Sequence, residues 1–324
     1  MKHAWLWRMN FQFSALPPVH TAVFGAYGAL VSRGFAAAFA RHDPHLVVSV
    51  HPLMQHIPLR VLASVEASTG RKRPAFATVV TDLTRCHPTW FHKSVDACFV
   101  PTQVVADQAL EAGLSPSQVV LHGLPTRPAF AAPLPSKPVL RKRLGLRPTG
   151  FTVLLMGGGE GMGSLEATAS AAAEALPSTS QLVVVCGRNA ALRRRLTSRS
   201  WGCSLTALGF VSNVDEWMGA ADCIVTKAGP GTIAEALIRG LPLLLNGAIP
   251  CQEEGNVPFV VDSGVGVFQT DPAKIAEQLA AWAGPQAAQL AAMAAKARAL
   301  GRPRATFDIV KDLAALASPA AAAV

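Results

Sequence analysis

The chain carries little charge: 15% of its 324 residues are Asp, Glu, Lys or Arg, while half are hydrophobic. An intrinsically disordered polymer needs the opposite balance and is excluded. No apolar run reaches the roughly 18–20 residues of a spanning helix; the longest, residues 21–31, stops at Ser32 and Arg33. The six cysteines, at 86, 98, 186, 203, 223 and 251, include no Cys-x-x-Cys pair. Neither a zinc site nor a disulfide framework is indicated. Cys98, Cys186 and Cys223 fall inside apolar runs, where a reduced thiol acts as a small hydrophobe, so a reducing compartment is expected. There is no Gly-Lys-[Ser/Thr] triplet, hence no P-loop, and no repeat at solenoid periods.

The charge that is present is uneven. Residues 1–150 carry a net +10 and residues 151–324 a net −1. With about 100–200 residues per domain, this suggests two domains that meet different partners. An anionic lipid surface or a nucleic acid would attract the basic half, but no RNA- or DNA-binding motif accompanies the charge. Its densest clusters are Arg71, Lys72, Arg73 and Arg141, Lys142, Arg143. At the amino terminus, Lys2 and Arg8 ahead of an apolar stretch imitate a secretory signal. Pro17, Pro18 and His20 interrupt that stretch, and Arg33 sits where its apolar core should run into a cleavage site. The rival reading is a surface segment with Trp5, Trp7, Phe11 and Phe13 as interfacial aromatics.

Short β-branched runs alternate with Ala-rich stretches, the pattern of parallel sheets with crossover helices. Strands are expected over residues 46–50, 75–80, 97–100 and 118–121, then 151–156, 181–186, 205–208, 223–226, 241–246 and 266–268. A long helix is expected from about Ala273 onward. The proline- and lysine-rich stretch between reads as a linker. The expected organisation is an α/β chain with domains at 1–130 and 150–315, a linker at 131–149 and a disordered tail at 316–324. Two such sheets leave a cleft between the carboxyl ends of their strands.

Four motifs lie just after expected strands. Gly157, Gly158, Gly159, Glu160, Gly161, Met162 and Gly163 join a strand to a helix, and such backbone N–H groups suit a phosphate or diphosphate. The dinucleotide pattern G-x-G-x-x-G fails in every register; a tight turn is the bland alternative. In the second run, residues 226–237, Gly229, Pro230 and Gly231 open a helix, and Thr232 with Glu235 has capping-box spacing. Capping alone accounts for both residues as well as a ligand does. Third, Gln252, Glu253, Glu254 and Asn256 can exchange hydrogen bonds with sugar hydroxyls, or form a solvated loop. Fourth, His51, His56, His87 and His92 crowd two loops of the basic half. Their i,i+5 spacing is poor for metal ligands on one helix face, which leaves acid–base or anion contacts, with Trp90 and Phe91 offering apolar surface to a lipid tail.

These runs, together with Cys186-Gly187-Arg188-Asn189, resemble the monogalactosyldiacylglycerol synthase family. Its members are plastid GT-B glycosyltransferases of family 28, related to the bacterial lipid II-forming N-acetylglucosaminyltransferase. The resemblance spans about residues 1–313. It implies two Rossmann-like domains and inverting transfer of galactose from UDP-galactose to 1,2-diacylglycerol, forming monogalactosyldiacylglycerol. It also implies peripheral attachment to the chloroplast envelope membrane, with anionic lipids beneath the basic domain, and needs no metal or other cofactor.

By the same resemblance, the glycine run holds the diphosphate, and Phe210 and Val211 cradle uracil. Arg188, Gly229, Pro230, Gly231 and Thr232 complete the UDP site, and Glu235 binds the ribose hydroxyls. Gln252, Glu253 and Asn256 meet the donor sugar; His51, His56, Trp90 and Phe91 belong to the acceptor and lipid side. The family opens with a further strand and a glycine-rich, histidine-bearing loop that supplies the candidate base, and nothing upstream of His51 matches it. The first domain is therefore expected to be incomplete, leaving His51, Asp82 or His87 as substitute bases. A UDP-glucose-dependent diacylglycerol glucosyltransferase and an inactive UDP- and lipid-binding remnant remain open as alternatives.

Overall fold

The computed structural model describes residues 5–6, 9, 13–14, 17–157 and 165–318, and the chain divides into two compact units. The first comprises residues 1–125, 250–252 and 304–324; the second comprises 126–249 and 253–303.

The first unit begins with α1 (Pro17–His42), followed by β1 (Leu46–Ser49), α2 (His56–Thr69), β2 (Ala75–Val79), β3 (Ala97–Val100), α3 (Gln103–Glu111) and β4 (Val119–Leu121). Its four strands are parallel and lie in chain order. Alternation along the strands decides which side chains face which layer. Phe76, Val80, Cys98 and Val100 share one core with Leu59 and Leu62 of α2 and Val105 of α3. Ala77, Val79, Ala97 and Phe99 face the other way. α1 corrects the expectation for the amino terminus: Pro17 and Pro18 do not interrupt but occupy the first turn, where a missing N–H costs nothing.

In the second unit come α4 (Lys137–Arg143), β5 (Thr152–Met156), α5 (Leu165–Ala175), β6 (Gln181–Val185), α6 (Ala190–Thr197), β7 (Ser204–Leu208), α7 (Val214–Ala220), β8 (Cys223–Thr226), α8 (Pro230–Arg239), β9 (Leu243–Leu245), α9 (Asn256–Asp262), β10 (Gly266–Phe268), α10 (Pro272–Ala283) and α11 (Ala287–Leu300). The six parallel strands run β10-β9-β8-β5-β6-β7, so the order reverses at β5. Val153, Leu155, Val184 and Val225 pack beneath Ala169 and Ala172 of α5 and Ile275, Leu279 and Trp282 of α10. Asn189 and Asp271 start α6 and α10 by accepting from backbone N–H groups, and Gly240 ends α8 in the left-handed region at φ 62°. A last helix, α12 (Ala305–Ala317), belongs to the first unit. Its Ile309 and Leu313 cover the Ala77/Phe99 face of the first sheet, and Asp312 meets His122 at 2.7 Å.

All ten expected strands form, with ends shifted by two residues at most. Three helical expectations change. The single long helix from Ala273 is broken into α10, α11 and α12 at Gly284 and at the Gly301–Pro303 turn, since glycine and proline do not continue a helix. The boundary between the units falls at residue 126, and the expected linker 131–149 is packed structure: Leu140 is fully buried and Arg141 is 6% exposed. The expected tail is helical to Ala317, while residues 319–324, like Trp7 and Phe11, lie outside the described residues.

Arg141 is consequently no surface cation. Its guanidinium donates to Asp222 Oδ2 at 2.7 Å, to the Ala220 carbonyl at 2.8 Å and to the Gly150 carbonyl at 3.0 Å. Asp222 also accepts from Lys137 Nζ and from the Thr152 amide that opens β5. In the other cluster, Arg71 pairs with Asp43 and Arg73 with Asp96. Removing one partner of a buried pair strands the other, at a cost of about 3–5 kcal/mol. Arg141→Ala is expected to destabilise the second unit by about that amount, read by urea unfolding; a change within about 0.5 kcal/mol, the range of an ordinary surface substitution, would refute the role.

Candidate functional site

In an open parallel sheet, ligands bind outside the carboxyl ends of the strands where the strand order reverses. Here that point lies at β5 and its neighbour β8. Met156 of β5 is in register with Thr226 of β8, and Thr226 with Leu245 of β9. Gly157, Lys227 and Asn246 therefore leave three adjacent strands side by side. Gly158, Gly159, Glu160, Gly161, Met162 and Gly163 lie outside the described residues.

The turn from β8 into α8 departs from the capping-box reading. Gly229 is the N-cap and Pro230 the first helical residue, with no side-chain cap. Thr232 lies one turn inside the helix. Glu235, freed from capping, accepts from Arg127 Nε at 3.2 Å and Nη2 at 3.1 Å. Arg127 also donates to the Ser212 carbonyl and lies over the Phe130 ring. Burial pushes the Glu235 carboxyl above the usual range; the Arg127 charge and hydrogen bond pull it down, and Asp215 adds a smaller upward push. Arg127, which nothing in the motif spacing singled out, is thus the partner of the residue expected to bind ribose.

In the loop after β9, Gln252 is exposed whereas Glu253 and Asn256 are buried. Glu253 pairs with Lys227 and accepts the Ile249 N–H at 2.9 Å. Asn256 donates to the Ala228 carbonyl at 2.9 Å. Phe210 is exposed directly beyond the carboxyl end of β7, next to half-buried Val211, and Arg188 is exposed beyond β6. Both places suit the base and phosphates of a nucleotide lying across the strand ends.

The first unit brings together different residues from those expected. Trp90 and Phe91 offer no apolar surface: they are 1% and 6% exposed and belong to the core. The Trp90 indole N–H donates to Asp82 Oδ2 at 2.7 Å. Burial raises the Asp82 carboxyl, against opposing pulls from Trp90 and His51. Buried Gln55 links the two loops, accepting from Ser49 Oγ at 2.8 Å and facing the Trp90 carbonyl. His87 caps the short turn 88–90, its Nδ1 accepting the Thr89 N–H, and meets Ser14 Oγ at 3.1 Å through Nε2. His51 Nδ1 accepts the Leu53 N–H, and the His56 and His92 rings meet edge to face at 4.8 Å. Val50, Leu53 and Met54, beyond the end of β1, are exposed apolar side chains near the sheet's carboxyl edge.

Comparison with known proteins joins these observations. The family described as monogalactosyldiacylglycerol (MGDG) synthase matches residues 1–126, and the glycosyltransferase family 28 C-terminal domain matches residues 152–302. The chain is 46% identical over 319 residues to monogalactosyldiacylglycerol synthase 2, chloroplastic, of Arabidopsis thaliana, covering 97% of this chain and 68% of that one. It belongs to the monogalactosyldiacylglycerol synthase family. A probable synthase of Nicotiana tabacum is 49% identical over 97% of this chain, which spans 59% of that relative's length. Among solved structures, MurG of Acinetobacter baumannii superposes with a TM-score of 0.62 at 13% identity, covering 88% of this chain and 78% of that one. The fold is that of the GT-B glycosyltransferases.

Within this family member, the Arg127–Glu235 contact yields a pH test. A carboxyl whose folded pKa exceeds its unfolded value of about 4.3 contributes stability in full below that value. The contribution is lost as pH rises through the folded pKa. Arg127→Gln removes a downward influence, so the loss with rising pH should grow and extend further upward. Chemical unfolding between about pH 4 and pH 8 reads it; the excess should vanish when Glu235→Gln is added, and its persistence would assign it elsewhere.

Proposed function

We propose that the chain transfers galactose from UDP-galactose to the free hydroxyl of 1,2-diacylglycerol, with inversion, forming monogalactosyldiacylglycerol. The observation that carries this reading is the strand-order reversal at β5, which brings Gly157 and the start of α8 to one edge of the second unit. Family membership supports the same assignment. UDP lies across that edge with uracil at Phe210 and Val211, ribose hydroxyls on Glu235, and diphosphate at Gly157 and the turn that starts α8. N–H groups at a helix start stabilise negative charge without reorganising.

As the bond from the anomeric carbon to the diphosphate oxygen breaks, its electron pair stays with UDP. The acceptor oxygen forms the new bond from the opposite face, and its proton passes to a base. Among the described candidates, Asp82 fits that task best. Its carboxyl, raised by burial, accepts the Trp90 indole N–H through Oδ2, whereas His51 and His87 use Nδ1 to accept backbone N–H groups. Val50, Leu53 and Met54 provide the apolar contact with lipid, at the peripheral face of an anionic chloroplast envelope membrane.

Incubation with labelled UDP-galactose and diacylglycerol should yield labelled galactolipid, and Asp82→Asn should lower turnover while leaving UDP affinity intact. Label passing to lipid only from UDP-glucose would replace the donor; UDP binding without turnover would reduce the chain to a binding remnant. Glu235→Ala should weaken UDP at least about tenfold, or about 1.4 kcal/mol, and unchanged affinity would remove Glu235 from the ribose. Leu53→Asp with Met54→Asp should reduce sedimentation with anionic vesicles; equal sedimentation would place the lipid contact elsewhere.

A further inference from the structure

Lys227 and Glu253 form an ion pair, and the family resemblance gives no role to Lys227 or to the pairing. Glu253 is 3% exposed, whereas the Lys227 side chain is 37% exposed. A carboxylate that deep fixes its cation, and the surroundings fix the carboxylate. Glu253 Oε2 accepts the Ile249 N–H, and the Glu253 N–H donates to the Ile249 carbonyl, each at 2.9 Å. The Lys227 turn is tied to the same loop: the Ala228 N–H donates to the Gly247 carbonyl at 2.7 Å, and Asn256 donates to the Ala228 carbonyl. The ammonium is therefore anchored at one end of its reach, with part of its surface open.

Its position is specific. Lys227 leaves β8 immediately beside Gly157, because Met156 and Thr226 are in register. A side-chain carbon placed on Gly229, the N-cap of α8, would lie 3.3 Å from Lys227 Nζ and 3.7 Å from Glu253 Oε1. The amine thus rests against the backbone that opens α8. A lysine ammonium is a compact point charge with three donors, suited to phosphate oxygens whose negative charge grows as a bond breaks.

We infer that Lys227 is the side-chain cation for the donor's diphosphate, and that buried Glu253 is its positioning residue rather than a contact to the sugar. This rests on the reading of the second unit as a UDP-sugar site. Without nucleotide, the pair neutralises itself. With nucleotide, the ammonium is shared between Glu253 and the diphosphate oxygens, and it stabilises the UDP released as the glycosyl bond breaks.

Calorimetric titration of the full chain with uridine, UDP and UDP-galactose tests this. Lys227→Met should weaken UDP at least tenfold while uridine affinity stays within twofold, which also shows that the fold survives; Lys227→Arg should recover most of the UDP affinity. Glu253→Gln should weaken UDP and UDP-galactose by the same factor, and adding it to Lys227→Met should cost nothing further. Equal losses of uridine and UDP in Lys227→Met, or none, would overturn the assignment of Lys227. A Glu253→Gln loss confined to UDP-galactose would return Glu253 to the sugar. If the unsubstituted chain binds uridine but not UDP, the diphosphate assignment fails; if it binds neither, the nucleotide reading fails with it.

Discussion

The reversal of strand order at β5 is the constraint on which the chemistry of the second unit depends. A parallel strand points all its outgoing loops one way, and crossover helices return the chain to the opposite edge. Where the order runs outward in both directions, two neighbouring loops diverge and leave a crevice. β5 and β8 occupy that position, and their register sets Gly157 beside Lys227 without any side chain having to arrange it. The energy holding this in place comes from the apolar layers: Val153, Leu155 and Val225 are buried on one face, under α5 and α10. At roughly 1.5–3 kcal/mol for each fully buried aliphatic side chain, the sheet is stiff enough to carry buried charge at its edge.

Two buried ionic groups, Arg141–Asp222 and Lys227–Glu253, illustrate different uses of the same physics. The first is enclosed by backbone carbonyls and the Thr152 amide, and fastens the segment that enters the unit to β5. The second leaves its cation half open beside the strand ends. Desolvation makes an isolated charge expensive in both places. Only where the cation keeps an open side can a ligand exploit it.

Much of the fold was legible in the residues themselves. Short apolar runs such as 97–100 and 223–226 have no competing helical periodicity, and both form strands with those bounds. The helices were harder to read. Ala-rich composition extends across Gly284 and Gly301, so the pattern alone does not divide α10, α11 and α12. Prolines 17 and 18 read as breakers although they begin α1, because a proline is tolerated in a first turn and not in an interior. At the site, Gly157 follows a strand end and Glu235 a helix start, as spacing indicated, whereas Phe210 was singled out only by the family resemblance. Arg127, Gln55 and the burial of Trp90 depend on contacts between segments far apart in the chain, which no local pattern contains. The capping spacing of Thr232 and Glu235 was real, but with Gly229 as N-cap and Pro230 as first residue α8 starts three residues earlier.

Chain order and spatial order part company at α12. The last helix returns to the first unit and covers one face of its sheet, with Ile309 against Phe99 and Asp312 on His122. The first unit is accordingly assembled from segments on either side of the second, residues 1–125 and 304–324, with almost the whole second unit inserted between them. Ribosomal synthesis would finish the inserted body before its host could close, and a fragment ending near residue 126 would leave Ala77, Val79 and Phe99 bare to water.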